Sequence, residues 1–135
     1  MIKTTEFKQR RIINASPQEV YDAFVSGRKH SEFTGARATS LQRVGGKFTA
    51  WDGYVTGKYL VLQKGKRIAQ EWKTTEWPRG YAPSHVELIL NEHPKGTEVL
   101  LTHSNVPAHQ AAQYRKGWIE RYWERLSKYF SEQPR

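Results

Sequence analysis

Residues 67–76, 84–92 and 97–104 alternate apolar and polar side chains with a period of two, as expected of strands with one buried face. Ile68, Gln70 and Trp72 share one parity, as do Val86, Leu88 and Leu90, and then Val99, Leu101 and His103. The opposite parity carries Glu71, Lys73, His85, Glu87 and Thr102, which suit water. Shorter runs at about 4–14, 38–43, 47–52 and 54–63 predict further strands. The expected architecture is therefore an antiparallel sheet of about seven strands, covered on one side and wet on the other. Gly45-Gly46, Asp52-Gly53, Lys64-Gly65 and His93-Pro94-Lys95-Gly96 supply the turns, and Trp77-Pro78-Arg79-Gly80 a longer corner. Asp52-Gly53 between Trp51 and Tyr54 predicts a tight hairpin in which both turn residues take positive φ.

Helical signals appear in two places. Ser16 is placed to cap a helix, with Pro17 at its first position and Glu19 completing a capping box. Val20, Ala23 and Phe24 give that helix its apolar stripe, and Gly27 is expected to stop it. A second short helix follows at about Arg28–Phe33, ended by Thr34-Gly35. Pro107 is expected to open a long final helix running to about Ser131. Its wide stripe comprises Trp118, Ile119, Tyr122, Trp123, Leu126 and Phe130. A curved sheet with one helix lying across it encloses a hollow, and function would then depend on what that hollow or its rim binds.

A chain of 135 residues fits one domain spanning 1–135. Five Trp and seven Tyr concentrate its buried area in a few large side chains. No apolar run approaches the length of a membrane span, and Met1-Ile2-Lys3-Thr4 opens no signal-peptide core. The absence of cysteine removes disulfides, thiolate metal sites and a Cys nucleophile, and fits a reducing, cytoplasmic setting.

A net charge of +9 raises the question of an anionic partner. The cations are spread over the first strand (Lys8, Arg10, Arg11), a loop (Arg28, Lys29), a turn (Lys64, Lys66, Arg67) and the last helix (Arg115, Lys116, Arg121, Arg125, Lys128). That spread favours a solvated basic surface over a nucleic-acid footprint. Trp51, Tyr54 and Tyr59 interleaved with Lys47 and Lys58 resemble the aromatic platforms of single-strand binders, but such residues also stabilise ordinary hairpins. Nucleic acid is the lesser reading.

Hydrolytic and metal chemistry fare poorly. The two aspartates are Asp22, on a helix, and Asp52, suited to its turn, so no Ser-His-Asp set is in view, and there is no G-x-S-x-G elbow. The five histidines include no H-E-x-x-H pair, and neither a metal nor a cofactor is expected. His103 faces inward near the end of the last strand. It reads as a pocket hydrogen-bonding group or base, or else as a core histidine satisfied by a neighbour such as Gln70.

An ordered set of short motifs carries a family resemblance. It comprises Phe33-Thr34-Gly35, Gly45-Gly46-Lys47-Phe48, Trp51-Asp52-Gly53, Gly57, Gly65-Lys66-Arg67-Ile68 with Trp72, Trp77-Pro78 with Gly80, Thr97, Val106-Pro107 and Gly117-Trp118. Over about Val20 to Phe130 the chain resembles the activator of heat-shock-protein-90 ATPase homologue family, in its C-terminal-type domain, within the START-like superfamily. The resemblance implies an α+β helix-grip fold, with two short helices after the first strand and the sheet wrapped around the C-terminal helix. It also implies a cavity that in other branches of the superfamily holds lipids, polyketides or plant hormones. Gln70 and His103 depart from the apolar or small residues usual on the inward faces, and the corner after Trp77-Pro78 is one residue longer than usual.

The expected function is non-enzymatic binding of a small, mostly apolar or amphipathic molecule between sheet and helix. Phe48, Tyr59, Gln70, Trp72, Leu88, Leu101, His103, Trp118 and Tyr122 are the cavity candidates. Trp72, Trp118 and Tyr122 would supply contact area, with Gln70 and His103 orienting a polar group. The alternative is a protein-interaction module that binds a chaperone and stimulates its ATPase. A minor cyclase- or hydrolase-like activity in the same cavity comes third.

Overall fold

A computed structural model describes residues 2–132 and places seven strands in one antiparallel sheet of order β1-β7-β6-β5-β4-β3-β2. The strands are β1 (Thr4–Ile13), β2 (Thr39–Ser40), β3 (Lys47–Ala50), β4 (Val55–Gln63), β5 (Arg67–Thr74), β6 (Ser84–His93) and β7 (Gly96–Pro107). Two short helices, α1 (Pro17–Val25) and α2 (Gly27–Thr34), follow β1. The C-terminal rod begins with a 3-10 turn at Ala108–Gln110 and runs through α3 (Ala111–Gly117), a π-helical stretch (Trp118–Trp123) and α4 (Glu124–Ser131). This is the α+β helix-grip architecture expected from the sequence.

The parity argument holds through the ladder. Ile68 pairs with Leu88, Leu88 with Leu101, Val86 with His103 and Leu90 with Val99, and all of these are buried. Directly paired residues point to the same side of a sheet, so each row fixes its neighbour's face. Val20, Phe24, Trp118, Trp123 and Leu126 close the core from the helical side.

Local sequence also sets the helix ends. The Ser16 hydroxyl accepts from the Glu19 N–H, and the Glu19 carboxylate accepts from the Ser16 N–H. Three expectations are corrected. Gly27 does not stop α1: Ser26, in an extended conformation, ends it and at once caps α2 by accepting from the Lys29 N–H. Pro107 ends β7, and the rod starts one residue later, because Ala108 N–H is held by the Lys3 carbonyl of the neighbouring β1 segment. The β3–β4 connection is not a two-residue turn but a four-residue loop, Trp51 to Tyr54. In it Trp51, Asp52 and Gly53 all have positive φ (55°, 58° and 91°). The Asp52 carboxylate accepts from the Arg37 N–H, and the Asp52 N–H donates to the Arg37 carbonyl, which anchors the non-glycine residues of this turn.

Candidate functional site

The C-terminal rod presents Tyr114, Trp118, Tyr122 and Trp123 to the sheet. Helical residues four apart share a face, and the wider turn of the π-helical stretch brings a fifth residue onto that face as well. Trp118 therefore packs against both Tyr122 (ring centroids 4.6 Å apart) and Trp123 (5.5 Å). From the sheet, Trp72 stacks on Trp118 at 6.4 Å and meets Tyr114 edge-on at 5.1 Å.

Where the β3–β4 loop and the corner after β5 face the rod, the rings of Trp72, Tyr114, Trp118 and Tyr122 form one wall of a half-open cleft of about 780 Å³. The β3–β4 loop supplies Trp51 and Tyr54, the end of β5 and its following corner Trp72, Thr75 and Glu76, and the rod Gln113, Tyr114, Gly117, Trp118, Arg121 and Tyr122. Trp72, Trp118 and Tyr122 of the nine sequence candidates line it. Phe48, Tyr59, Leu88, Leu101 and His103 lie in the packed interior behind, with Phe48 stacked on Tyr59 at 5.2 Å. Gln70 is half-buried in the ladder between Tyr59 and Val86. The hollow is thus a cleft at one end of the grip, with the middle filled by side chains.

His103 is fully buried and its ring is committed on both sides. The Trp118 indole N–H donates to Nδ1 (3.0 Å), while Nε2 lies 2.8 Å from the Ser84 hydroxyl. That hydroxyl gives its single hydrogen to the Trp72 carbonyl (2.7 Å), so it must accept from His103 Nε2–H. The tautomer follows: neutral, with the proton on Nε2. Burial, and secondarily His85, lower the His103 pKa to about 3. The partners are Ser84 and Trp118 rather than Gln70. With neither nitrogen free, His103 is not placed to take a proton from a substrate.

A second buried histidine, His30, was not singled out by the sequence. Its Nδ1 lies 3.1 Å from the Phe24 carbonyl, which can only accept, so Nδ1 carries the proton and Nε2 accepts from the Tyr122 hydroxyl at 3.2 Å. Burial outweighs the Phe24 bond and lowers the His30 pKa to about 4. Burial likewise pushes the Tyr122 hydroxyl well above the usual tyrosine range.

The rim of the cleft is a connected polar structure. Glu76 N–H donates to Thr74 Oγ1, which donates to the Tyr114 hydroxyl (2.8 Å). Tyr114 donates to Gln110 Oε1 (2.8 Å), and Gln110 Nε2 returns to the Glu76 carbonyl (2.8 Å). The Glu76 carboxylate accepts from the Tyr54 hydroxyl and from Gln113 Nε2. Burial, followed by the bond to Glu76, raises the Tyr54 pKa. Trp51 is clasped by the Arg125 and Arg121 guanidinium groups, 5.1 and 5.7 Å from its ring. Trp51 Nε1 is buried without a hydrogen bond of good geometry, although the indole is near enough to Tyr122 to oppose the rise in its pKa. Extending the helical stripe one turn back from Trp118 would have found Tyr114; nothing in the sequence pointed to the Glu76 corner.

Among the described residues no group of three His, Cys, Asp or Glu side chains could hold a metal ion, and no helix is long and apolar enough to cross a membrane. Tyr59 is buried on the inner face while Lys47 and Lys58 are exposed, so that aromatic does not stand among those cations as a nucleic-acid platform would require.

Comparison with known proteins places this geometry. A family described as "Activator of Hsp90 ATPase homolog 1-like protein" matches residues 14–131. The chain is 30% identical over 129 residues to the activator of 90 kDa heat shock protein ATPase homolog 1 of Mus musculus, a match covering 96% of this chain and 38% of the mouse protein. Among solved structures, an HSP90 activator from Plasmodium falciparum superposes with a TM-score of 0.82 at 22% identity, covering 95% of this chain and 96% of that one. A protein from Mesorhizobium loti gives 0.78 at 18% identity, covering 97% and 100%. The chain therefore spans about two-fifths of the length of its mouse relative.

Proposed function

Since the chain belongs to the Activator of Hsp90 ATPase homolog 1-like family, we propose that it is a non-enzymatic binding domain whose ligand, a small amphipathic molecule, sits in the cleft between the sheet's end and the C-terminal rod. The observation that carries this reading is the cleft itself. Its volume of about 780 Å³ falls within the range of roughly 300–1,000 Å³ of small-molecule sites. Its floor is aromatic (Trp72, Tyr114, Trp118, Tyr122), and its polar groups gather at the rim (Tyr54, Glu76, Gln113, Arg121). Such a site takes an apolar body inward and leaves a polar end at the mouth.

Gly117 provides a test that spares the fold. It lines the cleft, and a Cβ added there meets no atom within 4 Å. Gly117→Leu should raise stability by roughly 1 kcal/mol through helix propensity while occupying the cleft. Amphipathic compounds that raise the melting midpoint of the native protein should then lose their effect on the variant. Equal stabilisation of both proteins would remove the cleft from consideration, and a broad screen with no stabilising compound would remove the ligand.

The second reading, a chaperone-binding module, is favoured by the mouse relative, which is named as an ATPase activator and is 30% identical to this chain. A net charge of +9 would complement an acidic chaperone surface. Added to an Hsp90-type ATPase, the protein should then raise steady-state turnover, falling with salt as exposed charges are screened. Unchanged turnover at low salt counts against it.

A further inference from the structure

The end of the sheet opposite the cleft has a character of its own. The loop of residues 41–46, the turn of residues 64–66 and the turn of residues 94–95 all lie there, since β4 and β6 run away from the cleft while β3 and β5 run toward it. Leu41 and Val44 are 52% and 65% exposed and, with Ile2, are the large hydrophobic side chains left in water among the described residues. The loop that carries them is internally bonded. Leu41 N–H donates to the Lys47 carbonyl (3.0 Å), Arg43 N–H to Leu41 (2.8 Å) and Gly46 N–H to Arg43 (2.8 Å). Gly45 N–H donates to the Tyr59 carbonyl and Tyr59 N–H to the Gly46 carbonyl, tying the loop to β4. Both aliphatic side chains thus stand on a fixed backbone.

Arg43 and Lys47 stand on and beside this loop, and further cations lie along the same end of the sheet. Arg43, Lys47, Lys58, Lys64, Lys66 and Lys95 are all exposed, and Lys47 lies directly across from Lys58 in the β3–β4 ladder. Glu71 stands across from Lys58 on β5 and offsets part of their repulsion, which leaves Lys47, beside the loop, as the less compensated of the two. Further acidic residues lie near this end as well: Glu19 and Glu92 beside the β6–β7 turn, and Glu98 and Glu87 held by Arg10 and Arg67.

We propose that this end of the protein docks on an anionic lipid surface, with Leu41 and Val44 inserted at the acyl boundary and Arg43, Lys47 and Lys58 at the phosphates. Two aliphatic side chains on a narrow, rigid tip suit a soft apolar layer, whereas a protein interface needs a broader buried patch. Single-stranded nucleic acid would call for aromatics on the same face, and Phe48 and Tyr59 in these strands are buried instead. Nearby lysines and arginines add attraction to anionic headgroups within a Debye length of the surface.

Co-sedimentation of the full chain with vesicles tests this. Binding should be at least about tenfold tighter to phosphatidylcholine mixed with phosphatidylserine than to phosphatidylcholine alone, and should weaken with salt. The double variant L41S/V44S, altered only at exposed positions, should lose about tenfold in partition at an unchanged melting midpoint. K47Q/K58Q should lose the preference for phosphatidylserine. No sedimentation with either vesicle, or partition indifferent to Leu41 and Val44, overturns the proposal. So does an affinity for single-stranded oligonucleotide that exceeds vesicle binding and survives L41S/V44S.

Discussion

Bringing the protein from pH 7 to about pH 4.5 is expected to remove about 5 kcal/mol of stability, enough to unfold a domain at the low end of the ordinary range of roughly 5–15 kcal/mol. His103 and His30 are held neutral, with pKa values lowered to about 3 and about 4 from the ordinary histidine value of 6.5. Below pH 6.5 the unfolded chain takes up a proton at each histidine and the folded chain does not. Protonation therefore favours unfolding, and the loss grows until the pH reaches the folded values. Each histidine contributes about 1.4 kcal/mol per pH unit across that window, roughly 2–3 kcal/mol by pH 4.5. Depressed carboxylates such as Glu32 and Glu98 act in the same direction, but only as the pH falls below their ordinary value of 4.5. Urea midpoints measured from pH 7 to pH 4.5 give the slope directly. His30→Gln and His103→Gln should each flatten it by about half, whatever they cost at neutral pH. A stability curve level over this range would mean that both rings are charged in the fold, and half the slope that one of them is, and the tautomers assigned above would be wrong accordingly.

The other large effect is expected at Gly57, the third residue of β4. A Cβ there would stand 1.9 Å from the Glu71 carbonyl oxygen of β5 and 2.7 Å from the Phe48 ring. The first contact is with backbone held in a ladder, Lys58 pairing with Glu71 beside it, so it cannot be relieved by a rotamer change. The Phe48 ring lies over the bare position and stacks on Tyr59, so moving the ring would disturb a second buried aromatic. Gly57→Ala should therefore cost about 3 kcal/mol or more, beyond any gain in strand propensity, with the thermal midpoint falling accordingly. Gly117→Ala, with open space around its Cβ, is the matched control and should stabilise. Equal midpoints for the two variants would show that β4 and β5 are further apart than described.

The faces of β5, β6 and β7 were legible because burial on one side imposes a period that no other structure satisfies. The Ser16–Glu19 capping box was legible because its donors and acceptors lie three residues apart. What escaped was long-range. Ser84 meets His103 only because β6 and β7 pair in one register, and nothing near either residue announces the other. The shape of the cleft escaped for the same reason. Inward parity places Leu88, Leu101 and His103 correctly on the covered face, yet parity cannot say how far along the strands the helix stays in contact. The cleft opens between the rod and the connections after β3 and β5, a gap set by packing. Tyr114 was within reach of the helical pattern, four residues before Trp118. His30 was not, because a lone histidine on a short polar helix looks like surface until Tyr122 is placed against it.

The π-helical stretch Trp118–Trp123 carries a further implication for how the rod could change. A chain one residue shorter there would wind as ordinary α-helix, and α4 would keep its seat against α2. The segment ahead of the shortening would swing round by about 100°, the angle separating successive α-helical residues. Tyr114 would then leave Trp72 and Gln113 would leave Glu76, opening the wall and the latch in one step while the hydrophobic anchor at Leu126 and Phe130 stayed put. Chain length in six residues thus sets the angular phase between the two halves of the rod, and with it whether the cleft exists.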